Sequence, residues 1–200
     1  MSATIARPLS PPSAASFGNQ RMWALWSRTR VALYARELDP FLVEEWQRLH
    51  RSLIGRVPLM RVEGDHAYGT FLLARALTAK HAGEHSTHAA LCREALRVAE
   101  RLRLLPYPAA AVPASLLAAG VAWARDDRRN ILALTRTALE QAHATHCLPY
   151  VALTKRRLGE ALGGDEGALM IAEADTEARL AGFTNPERAA VLAIPTGRFA

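Results

Sequence analysis

Apolar residues recur along the chain at intervals of three and four positions, which is the spacing of one face of an α-helix. From about residue 20 onward this pattern predicts roughly eight helices. Asp39 and Asn185 each precede a proline and are predicted to cap a helix N-terminus, with the proline in the first turn. Helices are separated by Asp39-Pro40, Gly64-Asp65, Gly83, Asp126-Asp127, Gly163-Gly164 and Asn185-Pro186.

The apolar pattern also repeats over a longer distance. Leu72-Leu73-Ala74 is matched by Leu116-Leu117-Ala118, 44 positions later, and the group Leu91, Ala95, Leu96, Ala99 by the group Leu134, Ala138, Leu139, Ala142, 43 positions later. Each unit is a helix, a turn and a second helix, and a looser third unit runs from Tyr150 to Gly182. We therefore predict antiparallel helical hairpins stacked as an α-solenoid.

Composition agrees with this fold class. Half of the 200 residues are hydrophobic and aromatic residues make up only 6%. Alanine and leucine supply most of the apolar content, which is typical of packed helices. The chain is therefore predicted to be all-α.

The composition of the N-terminal residues and of the longest uncharged run predicts the domain boundaries. Residues 1–19 are rich in Pro, Ser and Ala, lack the apolar core of a secretion signal, and are predicted to be a disordered lead-in to a helical domain at 20–200. The uncharged run from Leu105 to Ala124 contains three prolines and is predicted to be a loop entering a buried helix, not a membrane span. Cys92 and Cys147 lack a CxxC partner, which favours a cytoplasmic location.

The net charge of +6 comes mainly from arginine, because Lys80 and Lys155 are the only lysines. Many arginines alternate with acids, as solvated helix faces do. Residues 21–61 are more basic, with eight arginines against four acids. Charge alone therefore does not identify a ligand.

The segment from Gly163 to Gly167 reads GGDEG and resembles the GGDEF loop of diguanylate cyclases. In a cyclase this loop turns between two β-strands and brings backbone amides to phosphate. Here both flanks have helical spacing, and Gly167 stands in place of the phenylalanine. We predict a turn in which Gly163 ends one helix while Asp165 and Glu166 lie in the first turn of the next.

Two histidine clusters are the other candidates for chemistry: His81, His85 and His88, and then His143, His146 and Cys147. On the hairpin interpretation they lie on opposite rims, and neither supplies four ligands with a recognised zinc spacing. Solvated histidines in turns are the favoured interpretation. No GxSxG, GxxxxGK[ST] or GxGxxG motif occurs, so we predict no enzyme activity, cofactor or metal.

Aromatic residues leave one alternative open. Trp23, Trp26, Trp46, Trp123 and Phe41 are predicted to be core or groove anchors. Several are interleaved with arginines, however, which is the pattern of single-stranded nucleic-acid binders. A nucleic-acid-binding helical protein, acting through Arg21, Arg28, Arg30, Arg48 and Arg51, is thus the alternative function.

The C-terminal part contains a series of short motifs in a characteristic order: Arg156-Arg157-Leu158-Gly159-Glu160, Gly163-Gly164-Asp165-Glu166-Gly167, Glu173-Ala174-Asp175, Gly182 and Asn185-Pro186-Glu187-Arg188. In order and spacing they resemble the helical tail, similar to tetratricopeptide repeats (TPR), of large multidomain bacterial serine/threonine protein kinases. In those kinases the tail follows the catalytic and ATPase-like regions. The specific motifs cover about 40 residues, with looser agreement back to about residue 70.

This resemblance implies a TPR-like, non-catalytic accessory region. The chain contains no VAIK, HRD or DFG motif, so kinase activity does not carry over. Glu177, Ala178 and Ala181 stand where such tails tend to have Trp-Met and a glutamine. Loss of a large buried aromatic side chain predicts looser packing of the last hairpin unless neighbours fill the space.

Taken together, these features predict a protein–protein interaction or regulatory module whose partner offers an acidic surface. Arg93, Arg97 and Arg101 recur every four residues on one helix and are the predicted partner-binding residues, with solvated surface charge as their alternative.

Overall fold

The computed structural model describes residues 18–52 and 57–199, and within these ranges all regular structure is helical. Nine α-helices follow in chain order: α1 (Asn19–Ala35), α2 (Leu42–Arg51), α3 (Pro58–His81), α4 (His85–Arg103), α5 (Ala111–Ala124), α6 (Arg128–Ala144), α7 (Leu148–Leu162), α8 (Gly164–Leu180) and α9 (Pro186–Ala189). Short 3₁₀ turns cover Pro108–Ala110 and Ala190–Leu192. The all-α prediction is confirmed.

Three helical hairpins make up the middle and the C-terminal part of the chain. They are α3 with α4, α5 with α6, and α7 with α8, and each helix packs against the next along the chain. Their bounds agree with the predicted units, and Ala95 and Ala138, which match in the internal repeat, are both fully buried. Helix α1 lies across α3, and α3 also packs against α5.

Glycine lets α3 and α5 approach closely. A Cβ on Gly69 of α3 would lie 2.5 Å from Leu117 Cδ1, and one on Gly120 of α5 would lie 2.5 Å from Leu73 Cδ1. Each leucine therefore fills the space above the facing glycine, in the manner of large and small residues that interdigitate in packed cores.

The C-terminal segment, residues 186–199, is part of the core. Val191, Ala193 and Ile194 are fully buried, and the segment packs against α1 and α7. Arg36, at the end of α1, donates from Nη1 to the carbonyl oxygens of Thr196 at 3.0 Å and Arg198 at 3.2 Å. These contacts fasten the end of the chain to its first helix.

One hydrogen bond joins helices that are far apart in sequence. The Tyr150 hydroxyl, on α7, lies 2.8 Å from Nδ1 of His66, on α3. Burial, with the nearby charge of Arg30, lowers the pKa of His66 to about 3, and the Ala193 backbone opposes this only in part. His66 is therefore neutral, so one of its two ring nitrogens is unprotonated and can accept a hydrogen bond.

The GGDEG segment forms a turn between two helices, as predicted. Gly163 and Gly164 both have positive φ, +69° and +62°, and Asp165 and Glu166 lie in the first turn of α8. A Cβ on Gly167 would lie 2.4 Å from the Gly159 carbonyl oxygen, so the backbones of α7 and α8 are in contact there. The last hairpin is thus tightly packed by small residues near its turn, while the packing expected around Glu177, Ala178 and Ala181 stays a prediction.

Two further boundary predictions are corrected. Gly64-Asp65 does not separate helices, because both residues lie inside α3 and are buried. A Cβ on Gly64 would lie 3.3 Å from the Trp46 ring, so this glycine serves helix packing and not a turn. Asp39 accepts from the Phe41 amide at 3.0 Å in the turn before α2, whose N-cap is Phe41 itself.

Other boundaries agree with the prediction. The Asn185 side chain accepts from the Arg188 amide at 3.0 Å and caps α9, with Pro186 in the first turn. The predicted lead-in at 1–19 falls almost wholly outside the described residues, and α1 begins at its last position, Asn19. No helix of the described ranges has the length and apolar content needed to cross a bilayer.

Candidate functional site

A cleft of about 870 Å³ lies between α2, α3 and α4. Five arginines line it, and we call it the arginine cleft: Arg51 from α2, Arg61 and Arg75 from α3, and Arg97 and Arg101 from α4. Asp65 and Glu94 are the acids in its lining, and Val43, Leu72 and Leu91 give it apolar surface. The cleft therefore combines an excess of positive charge with apolar contact area.

Asp65 organises the floor of this cleft. Its side chain is only 1% exposed, and Oδ1 accepts from Nε2 of His50 at 2.7 Å and from Nη2 of Arg101 at 3.3 Å. Nε of Arg61 lies 3.8 Å from the other oxygen, Oδ2. One buried carboxylate thus joins side chains from α2, α3 and α4.

The remaining arginines of the cleft differ in whether a carboxylate pairs with them. Arg97 donates to Glu94 at 2.6 Å, one helical turn away. Arg51 and Arg75 form no ion pair with a carboxylate within residues 18–52 and 57–199. Positive charge that its neighbours do not compensate attracts anions to a partly enclosed site.

Tyr68 lies between the apolar core and the cleft. Its ring packs on the buried Trp46, with ring centroids 6.2 Å apart. Burial raises the pKa of the Tyr68 phenol and Glu94 raises it further, while Arg101 and Arg75 oppose the shift. The phenol is therefore neutral and keeps its proton as a hydrogen-bond donor.

The structure brings two of the three predicted partner-binding residues to this cleft. Arg97 and Arg101 line it, whereas Arg93 is exposed on α4 outside the lining. Sequence reasoning missed Arg61 and Arg75 as site residues, and it treated Arg51 only as part of the alternative nucleic-acid surface. The four-residue spacing of Arg61 and Asp65 could have indicated an ion pair on one helix. The predicted helix break at Gly64-Asp65 hid this spacing.

Arg28 and Arg48 of the alternative nucleic-acid surface are paired with carboxylates. Arg28 donates to Asp39 at 2.8 Å and to Glu45 at 3.1 Å. Trp46 is fully buried and donates from Nε1 to Thr29 Oγ1 at 3.0 Å, so it is a core anchor and offers no stacking platform.

Two of the aromatic residues predicted to be core or groove anchors are exposed at the surface. Phe41 is 72% exposed and Trp23 is 39% exposed. Trp26 packs edge-on against Trp23, and the guanidinium of Arg30 lies 4.5 Å from its ring centroid. Phe41 is therefore not a core residue, and only the groove part of its prediction stays open.

The histidine clusters fall where the hairpins predict, in the turn between α3 and α4 and at the end of α6. Nδ1 of His81 and Nδ1 of His88 lie 2.8 and 2.9 Å from the carbonyl oxygens of Leu77 and Ala76. In the part of the chain that the structure describes, no three His, Cys, Asp or Glu side chains are grouped to hold a metal ion.

Comparisons of the sequence with protein-family models and with curated proteins gave no match, and a comparison with solved structures gave none either. The arginine cleft and its surroundings are therefore the basis for a functional proposal.

Proposed function

We propose that this chain is a non-catalytic helical-repeat module that binds an acidic segment of a partner protein in the arginine cleft. The excess of arginine over acid in a cleft of about 870 Å³ is the observation that carries the proposal. Apolar lining residues offer contacts for leucine-like side chains, and arginine-rich walls select acidic neighbours.

The architecture supports a repeat module of the TPR-like α-solenoid type. Three consecutive hairpins, with matching buried alanines in the first two, are the arrangement expected of stacked helix pairs. The C-terminal motifs that resemble the tails of multidomain bacterial kinases support an accessory role in a signalling assembly. Two free cysteines among the described residues agree with a reducing, cytoplasmic setting.

A charge-reversal pair on α4 tests the proposal. Arg97→Glu places a negative charge in the cleft, while Arg93→Glu makes the same change one turn away, outside it. For a synthetic peptide of alternating glutamate and leucine residues, we expect Arg97→Glu to weaken binding about tenfold or more and Arg93→Glu to change it little. Fluorescence anisotropy at two salt concentrations measures both.

Three results would count against the proposal. The first is that the acidic peptide does not bind the wild-type protein, and the second is that both variants lose the same affinity. The third is that a neutral peptide of glutamine and leucine binds as tightly as the acidic peptide. Binding of single-stranded DNA in the same assay tests the alternative function. Tighter binding of DNA than of the acidic peptide, with a steep loss between low and physiological salt, would favour nucleic acid.

A further inference from the structure

Within the proposed function, we infer that Arg61 and Arg101 form a preorganised anchor for a phosphate monoester on the partner's acidic segment. Asp65 is the positioning residue of this anchor. The inference deepens the proposed function, on which it rests, by naming the chemical group that the cleft prefers.

The two guanidinium groups flank one carboxylate, which is hydrogen-bonded to Arg101 and within ion-pair distance of Arg61. Nη2 of Arg101 lies 3.3 Å from Oδ1 of Asp65, and Nε of Arg61 lies 3.8 Å from Oδ2. Both arginine side chains remain partly open to solvent, with 38% and 39% of their surface exposed. Each therefore keeps N–H donors that are not engaged by Asp65 and that a ligand in the cleft can reach.

Two further features hold the Asp65 side chain in place, its burial and a hydrogen bond to His50. The side chain is buried within α3 and also bonded to His50 of α2 at 2.7 Å. A side chain that is held in place before binding loses less conformational freedom when the ligand arrives. Arg101 is thus restrained in the free protein by its hydrogen bond to Asp65, and Arg61 is attracted to the same carboxylate at ion-pair distance.

The number of donors favours phosphate over a single carboxylate. A carboxylate carries one charge and two oxygens, which one guanidinium satisfies. A phosphate monoester carries a charge of about −1.5 to −2 and three acceptor oxygens, so it can accept from several guanidinium groups at once. Arg51 and Arg75, which have no carboxylate partner in the described ranges, add positive charge to the same cleft.

Substitution of Asp65 separates positioning from simple attraction. Asp65→Asn makes the cleft more positive, so a cleft that works by net charge alone would bind anions more tightly. If Asp65 positions the arginines, the same substitution weakens binding of a phosphorylated ligand. Arg101→Lys keeps the charge but loses the planar fork that donates to two oxygens, and it is expected to have the same effect.

The experiment uses the full chain and three peptides that differ at one central position, which is serine, glutamate or phosphoserine within an acidic and leucine-containing sequence. Isothermal titration calorimetry measures the affinities, with inorganic phosphate as a fourth probe. We expect the phosphoserine peptide to bind at least about tenfold more tightly than the glutamate peptide. Asp65→Asn and Arg101→Lys are expected to remove most of that ratio while the glutamate peptide still binds.

Several results would overturn the inference. Equal affinity for phosphoserine and glutamate, or tighter phosphopeptide binding by Asp65→Asn, would leave the acidic-segment function standing without a phosphate anchor. Inorganic phosphate that binds as tightly as the phosphopeptide would show that the site takes free phosphate. Failure of all three peptides would end the proposed function as well. Thermal unfolding checks each variant, and Arg61→Lys and Arg101→Lys carry the test if Asp65→Asn does not fold.

Discussion

At the scale of single residues, the core depends on a histidine that stays uncharged. His66 is only 3% exposed and is hydrogen-bonded to Tyr150. Its pKa is lowered to about 3, whereas an unfolded chain would have a histidine pKa near 6.5. Below pH of about 6.5 the unfolded chain therefore takes up a proton that the folded protein does not.

The free energy of unfolding is accordingly expected to be highest above pH of about 6.5 and to fall as the pH falls toward 3. His66 contributes a slope of up to about 1.4 kcal/mol per pH unit between these values. Urea denaturation at several pH values measures this slope. His66→Leu is expected to flatten it, even though the variant is less stable overall.

An exposed histidine provides the control for this prediction. His143→Gln on α6 is the matched substitution, because that side chain is exposed and lies outside the buried pair of His66 and Tyr150. Glu63 responds in the opposite sense, since burial raises its pKa, but it is present in all three proteins. An unchanged slope in His66→Leu would show that other groups cause the acid sensitivity.

At the scale of helices, α7 and α8 are joined by direct contact between their backbones. Gly159 and Gly167 face each other, and a Cβ on Gly167 would lie 2.4 Å from a carbonyl oxygen of α7. Glycine at this position is therefore required by helix packing, although it costs helix propensity of about 1 kcal/mol relative to alanine.

Gly167→Ala is expected to lower the free energy of unfolding by about 2 kcal/mol, because the clash with Gly159 exceeds the gain in helix propensity. Chemical denaturation monitored by circular dichroism measures the change. Ala168→Leu adds more atoms at the next position, which is exposed, and should change stability by less than about 0.5 kcal/mol. Equal effects of the two variants would contradict the close contact.

The helices and their turns could be predicted because their signals are local. Apolar spacing identified the three hairpins, and the positive φ of Gly163 and Gly164 agrees with a turn between helices. Gly64 was misplaced because a glycine inside a helix looks like a break, and its reason for being there, the Trp46 ring, comes from α2. A tertiary contact decided that position.

The candidate site was only partly predictable for a related reason. Asp65 takes its partners from α2 and α4, 15 and 36 positions away, and no local pattern signals those pairs. Arg93, Arg97 and Arg101 were grouped because four-residue steps stay near one helix face. Each step turns by about 40° beyond a full rotation, so over two steps Arg93 has moved about 80° around α4 from Arg101.

At the scale of the whole molecule, the C-terminal segment joins the first helix to the hairpins. Residues 186–199 contact α1 and α7, and Ile194 Cγ2 would lie 3.8 Å from a Cβ on Gly120 of α5. Ile194 itself is fully buried. The last residues of the described chain are therefore part of the core rather than an appendage.

Ile194→Ala is expected to lower the free energy of unfolding by about 2 to 5 kcal/mol, because it leaves a cavity in the core beside α5. Leu180→Ala provides the matched control, since Leu180 is 85% exposed at the end of α8 and should change stability by less than about 0.5 kcal/mol. Thermal and chemical denaturation measure both. A small effect of Ile194→Ala would mean that the segment is dispensable for the core.

The bond between Tyr150 and His66 joins the first hairpin to the third, with one helix pair, α5 and α6, between them along the chain. A duplicated pair inserted between α6 and α7 would carry Tyr150 about 10 Å from its partner, because packed helices lie 8 to 10 Å apart. It would also draw α7 away from the segment that holds α1. Insertion of a further helix pair at this point is therefore expected to cost the chain both the Tyr150–His66 contact and the packing of its C-terminal segment.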